Sequence, residues 1–237
     1  MRSCQGRIPV PEVVAYEPEP STLESAFFLM RRLPGVAMNR LRETLGDEAQ
    51  YEVDRQVGRI VKVLSETRGA WFGPWNGPRF DSWRAGFGYF FGSLRADAVD
   101  AGVSLPAGAF ELADPFLDEL DQVTSPALVH WDLWDGNVFV DPSSLTVTGV
   151  IDFERALWCD PLMEGNFLFA QPGFFDGYGA DLRVGAERRR FLYDLYLMLV
   201  MVVESTYRGF TAEHEAWPRG ELDLLFARAD ELVATTR

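Results

Sequence analysis

The chain has 237 residues, of which 47% are hydrophobic and 14% aromatic, so it can bury a substantial core in one large or two small domains, and general disorder is excluded. Its formal net charge of -14, without a Lys/Arg cluster, argues against nucleic-acid binding, because a phosphate backbone is met by clustered cations. Two cysteines, Cys4 and Cys159, argue against a disulfide framework, and neither a signal-like apolar run at the N-terminus nor a bilayer-length one elsewhere is present, so a cytoplasmic protein without a membrane association is expected.

Residues 8–17 and 26–30 are short β-branched or aromatic runs separated by the turn-forming Glu17-Pro18-Glu19-Pro20, which predicts two neighbouring strands. Pro34 and Gly35 then break the pattern, as a linker between subdomains does. A helix is predicted from Asp47, which is placed to cap it, with Val53, Val57, Ile60, Val61 and Leu64 on one face. Its expected partner is a second helix over 80–94, where Trp83, Phe87, Phe90 and Leu94 repeat in the same way. The Gly/Pro/Trp loop at 69–78 joins them, and a short acidic helix is predicted at 114–122. Long helical patterns at 186–208 and 221–233 close the chain; the first contains the apolar run 195–203, which reads as a buried helix.

Between these helical regions stands Leu128-Val-His130-Trp-Asp132-Leu-Trp-Asp-Gly-Asn137-Val-Phe-Val140. After Asn137 an apolar run, the turn Asp141-Pro142-Ser143-Ser144 and a second run through Leu145, Val147 and Gly149 predict a β-hairpin. Antiparallel pairing sets the Asn137 amide and the Asp152 carboxylate side by side within a residue or two of register, with Asp132 one short loop upstream. Phosphoryl transfer needs these parts: hard oxygen ligands for Mg²⁺ and a carboxylate that accepts a hydroxyl proton. The Asp, four residues, Asn spacing matches the protein-kinase catalytic loop, and Ile151-Asp152-Phe153 stands where that fold carries its metal-binding Asp-Phe-Gly.

His130-Trp131-Asp132-Leu133-Trp134-Asp135-Gly136-Asn137 and Ile151-Asp152-Phe153-Glu154 resemble the two motifs of the aminoglycoside phosphotransferase and choline kinase-like family, and Asp-Leu-Trp-x-Gly-Asn also looks like its fructosamine kinase branch. The resemblance covers about residues 8 to 235. It implies an α+β protein-kinase-like fold, with a truncated N-terminal β lobe and hinge at 1–33 and a mainly helical large lobe at 34–237. It makes Asp132 the catalytic base, places His130 in the same catalytic motif as the support of the loop, and gives Mg²⁺ to Asn137 and Asp152. Glu154 adds an outer-sphere or substrate contact, and Asp160-Pro161 is structural. Trp131 departs from the glycine common at its position.

Upstream, the same resemblance makes 30–32 the hinge whose backbone bonds the adenine of ATP, with Leu29 and Leu33 against the ring and Arg31 where an acidic residue is common. No Gly-rich loop or strand lysine precedes Ile8, and the one lysine is Lys62, which points to a shortened gene product or a truncated relative. The expected function is ATP- and Mg²⁺-dependent phosphorylation of a hydroxyl on a small acceptor, cationic ones included: an amino sugar, an aminoglycoside-like molecule or an amino alcohol. The alternative is an inactive nucleotide- or ligand-binding pseudokinase. Trp71, Phe72 and Trp75 read as a loop staple or as a cage for a cationic acceptor; Glu164, Asp194 and Glu204 read as solvated or as lining a pocket for an amine; His214 faces solvent.

Overall fold

A computed structural model describes residues 4–19, 24–169 and 171–234. Its elements in chain order are β1 (Val13–Glu17), β2 (Phe27–Met30), β3 (Val36–Ala37), α1 (Asp47–Ser65), β4 (Gly73–Pro74), α2 (Trp83–Asp100), β5 (Ala127–Val129), β6 (Val138–Val140), β7 (Val147–Val150), β8 (Leu157–Cys159), α3 (Asn166–Phe169), α4 (Pro172–Tyr178), α5 (Glu187–Arg208) and α6 (Ala212–Ala234). They fall into two compact units, one gathering Met1–Arg68, Ala127–Leu157 and Glu164–Asp181, the other Gly69–Pro126, Trp158–Met163 and Leu182–Arg237.

In the first unit, β1 and β2 pair antiparallel with Tyr16 opposite Phe28 and a bulge between Val13 and Ala15. The first strand begins at Val13 rather than Ile8, because Pro9 and Pro11 have no N–H to offer a ladder. Part of the predicted turn, residues 20–23, lies outside the described residues. Pro34 and Gly35 form a bend that leads into β3: Gly35 takes φ +88°, a Cβ there would collide with the Val140 carbonyl, and Val36 and Ala37 then pair with Val140 and Phe139 of the hairpin that follows Asn137.

α1 starts where its sequence indicates, but Asp47 is its first residue and not its cap; the cap position belongs to Gly46, and the acids Asp47 and Glu48 sit in the first turn, where the helix dipole favours them. Val53, Val57, Ile60, Val61 and Leu64 are all buried. Their helix packs on α4. Glycines explain this choice, since a Cβ at Gly58, Gly173 or Gly177 would overlap the carbonyl of Phe174, Tyr51 or Arg55, so the two backbones meet directly.

In the second unit α2 packs on α5, as α6 does, together with a 3₁₀ stretch over Glu111–Gln122 that carries Pro115 where an acidic helix was expected. Ser82 caps α2 through the Ala85 N–H. Trp83 is fully buried; its Nε1–H donates to Tyr193 Oη at 2.8 Å, and that hydroxyl donates to Asp160 Oδ2 at 2.8 Å. Asp160 also accepts from Arg189 Nε at 2.6 Å and from the Leu162 N–H at 3.0 Å, which gives Asp160-Pro161 the structural role expected of it. Leu195, Met198, Leu199, Val202 and Val203 of α5 are buried as predicted, and among the described residues no helix is long and apolar enough to cross a membrane.

Candidate active site

Buried strand β5 delivers the chain to His130, whose imidazole is completely enclosed. Nδ1 accepts the Asp132 N–H at 3.3 Å, which leaves Nε2 protonated and donating to the Ile151 carbonyl at 2.8 Å, and the ring packs against Phe153 with centroids 4.4 Å apart. Burial lowers its pKa to about 4 against the opposing effect of its hydrogen bond to Ile151, so the ring is neutral. Both nitrogens are committed to backbone, and His130 acts as a staple between the 130–137 loop and the end of β7.

A carboxylate lies under the same loop. Glu164 is buried; Oε2 accepts the N–H of His130 at 3.0 Å and of Trp131 at 3.2 Å, and Oε1 accepts the Gly165 N–H at 3.2 Å. Burial is the main cause of its pKa rising to about 7, and the N–H donors oppose it. The solvated or pocket-lining role expected for Glu164 is therefore replaced by a supporting one. No local pattern could have marked it, because its partners are 33 and 34 residues away.

The hairpin has the predicted pairing, with Val138 opposite Val150, and the Ile151 N–H donates to the Asn137 carbonyl at 3.0 Å, so Asp152 stands one residue beyond Asn137's partner. Asp141 caps the turn by accepting the N–H groups of Ser143 at 2.8 Å and Ser144 at 3.3 Å. Gln56 of α1 grips the far strand, donating to Leu145 O and accepting from the Val147 N–H, both at 2.9 Å; the sequence pattern had not singled it out.

Asn137 is buried, and its Nδ2–H donates to the Asp132 carbonyl at 2.8 Å. Among the described residues its Oδ1 accepts no hydrogen bond, and the exposed Asp152 carboxylate accepts none either. One amide oxygen and one carboxylate, both without protein partners and one register step apart, make a hard-oxygen donor set that fits Mg²⁺. Two non-glycine residues hold left-handed backbone here, Trp131 and Asp152, each at φ 65°. Each conformation costs about 1–2 kcal/mol, which the neighbouring contacts must offset. For Trp131 these include the Glu164 bond and the Arg155 guanidinium 5.5 Å above the indole centroid.

The residues expected at the hinge behave unevenly. Leu29 and Met30 are exposed on β2, Leu33 packs over Gly149 of β7, and Arg31 pairs with Glu12 at 2.8 Å while its N–H is taken by the Glu12 carbonyl. Lys62 lies in the last turn of α1. In the second unit Trp71 and Trp75 pack on Trp158, and Arg79 covers the Trp71 ring at 4.0 Å, so a cation of the protein itself occupies one face of the expected cage. Asp194 is buried between Arg190 and Arg228, Glu204 pairs with Arg208, and His214 is exposed as expected.

A family profile described as phosphotransferase enzyme family (APH) matches residues 1–196. The chain belongs to this family. A Vibrio parahaemolyticus protein (serotype O3:K6, strain RIMD 2210633) bearing the name "probable ketoamine kinase" is 36% identical over 98 residues. That alignment takes in 36% of this chain and only 32% of the relative's length. Among solved structures, a thermostable mutant of aminoglycoside phosphotransferase APH(4)-Ia in ternary complex with AMP-PNP and hygromycin B superposes with a TM-score of 0.63 at 25% identity, covering 95% of this chain and 79% of that one. A Haemophilus somnus 129PT protein described as a "putative fructosamine-3-kinase" gives a TM-score of 0.63 at 18% identity, covering 92% and 73%. The α+β kinase-like architecture implied by the two motifs is therefore the fold of this chain.

Proposed function

We propose that the protein is a small-molecule kinase that moves the terminal phosphoryl group of ATP to a hydroxyl of an amino sugar, a ketoamine or an amino alcohol. What carries this reading is the pair of unpartnered oxygens, Asn137 Oδ1 and the Asp152 carboxylate, one register step apart beside the loop of Asp132. Asn137 and Asp152 would hold Mg²⁺, which would supply charge neutralisation for the nucleotide phosphates. Asp132 accepts the proton of the attacking hydroxyl, its loop fixed from below by His130 and Glu164. Leu29, Met30, Arg31 and Leu33 form the nucleotide side, with the backbone at 30–32 in the adenine-binding role and the Arg31 N–H already used by the Glu12 carbonyl. The acceptor class follows the relatives, one named for ketoamines and one bound to hygromycin B. Two free, buried cysteines suit a reducing compartment such as the cytoplasm.

The test is substrate-dependent ADP release by the purified chain with a panel of such acceptors. Asp132→Ala is expected to abolish release while the chain stays folded, since the loop is also held through residues 130, 131 and 137; a variant that keeps full activity sinks the assignment. A second reading, nucleotide binding without turnover, is favoured by the position of the single lysine on α1. Binding of Mg²⁺-ATP with no ADP release for any acceptor would support it.

A further inference from the structure

Arg42 lies in a short 3₁₀ turn, Arg42–Thr44, ahead of α1, and its guanidinium spans two carboxylates. Nη2 donates to Asp54 Oδ1 at 2.7 Å and to Asp135 Oδ1 at 2.8 Å, Nη1 donates to Asp54 Oδ2 at 3.3 Å, and Nε completes the fork on Asp135 Oδ2. Asp54 is buried on α1, so one end of this bridge is anchored in the core. Asp135 is the first residue of the turn Asp135–Asn137, so the other end grips the segment that delivers Asn137. Of the other hydrogen bonds of that turn, those from Asn137 N–H to Trp134 O and from Asn137 Nδ2–H to Asp132 O stay within the loop, and the Asn137 carbonyl accepts the Ile151 N–H from the end of β7. Arg42 connects it to the long helix. Only a planar fork bonds two carboxylates bidentately, so lysine at this position keeps the charge and loses the geometry.

We infer that Arg42 is a positioning residue: by clamping Asp135 to α1 it sets the direction in which Asn137 presents Oδ1 to the metal ion. The inference rests on the reading of Asn137 as a Mg²⁺ ligand. Arg42 has no part in the chemical step, and its effect is on the concentration of Mg²⁺ that nucleotide binding requires.

The experiment is calorimetric titration of ADP into the whole chain over a series of Mg²⁺ concentrations, for the wild type, Arg42→Lys, Asn137→Ala and the double variant, with urea midpoints measured in parallel. Arg42→Lys stays folded because an ammonium remains between the two carboxylates. Tyr51→Phe serves as a stability control; it removes a bond to Asp176 in the same unit that has no connection with the turn. Arg42→Lys is expected to raise the half-saturating Mg²⁺ concentration about tenfold, equivalent to about 1.4 kcal/mol. Tyr51→Phe is expected to leave it unchanged, and the double variant to match Asn137→Ala alone, because both act through one oxygen. If Asn137→Ala raises the Mg²⁺ requirement while Arg42→Lys stays within twofold of wild type, or if the two losses add in full, the inference is overturned and the metal-site reading stands. If Asn137→Ala changes nothing, the metal-site reading falls and the inference with it.

Discussion

Glu164 offers the sharpest test of how the loop that carries Asp132 is supported. Truncation to alanine strands three N–H donors, those of His130, Trp131 and Gly165, of which the first two lie beneath a buried loop. An unsatisfied buried donor costs about 1–3 kcal/mol, and a water that enters the space recovers part of this, so Glu164→Ala is expected to lose about 3–5 kcal/mol, a large share of a typical domain's stability. Glu164→Gln keeps one acceptor and isolates the effect of charge. In the native state the carboxyl pKa is raised from 4.5 to about 7, so the folded protein binds the extra proton between those values. Its contribution to stability is complete below pH 4.5 and disappears as pH rises to 7, by up to about 3 kcal/mol at 1.4 kcal/mol per unit. His130 works in the opposite sense: its pKa falls from 6.5 to about 4, the unfolded chain binds more protons in that interval, and stability rises with pH across it. In the wild type the two slopes largely cancel between pH 4.5 and 6.5. Glu164→Gln removes one of them, so urea midpoints of the variant are expected to climb over that interval more steeply than those of the wild type. Parallel midpoint-versus-pH curves for the two proteins would refute the reasoning.

Three further outcomes are expected. Asp152→Gly relieves a left-handed φ of 65° and is expected to stabilise the fold by about 1 kcal/mol while eliminating Mg²⁺-dependent ADP binding; a variant that is both less stable and still binding contradicts the strain and ligand arguments together. Gly177→Ala forces a Cβ into the Arg55 carbonyl and is expected to cost about 2–3 kcal/mol by separating α4 from α1, measured as a fall in urea midpoint. The same substitution at Gly92, exposed on α2 with no atom within 4 Å of the added Cβ, is expected to stabilise by about 0.5–1 kcal/mol, and equal effects at the two sites would remove the close-packing explanation.

The sequence by itself determined the features whose physics is local. Strand alternation and the Asp141 turn set the register of β6 on β7, which is enough to bring Asn137 and Asp152 together. Helical periodicity identified the apolar faces of α1 and α5, and the two motifs identified the fold. Periodicity specifies a face but not its partner: α1 meets α4 because three glycines allow backbone contact, and no count of apolar residues contains that information. The supports of the site were out of reach for the same reason. Glu164, Gln56 and Arg42 look like ordinary surface residues in one dimension, and they become anchors only when the fold closes separations of 34, 91 and 93 residues and removes water from around them. Tertiary structure decided which charges are buried, and burial is what turns a carboxylate or guanidinium into a rigid support of the loop that carries Asp132.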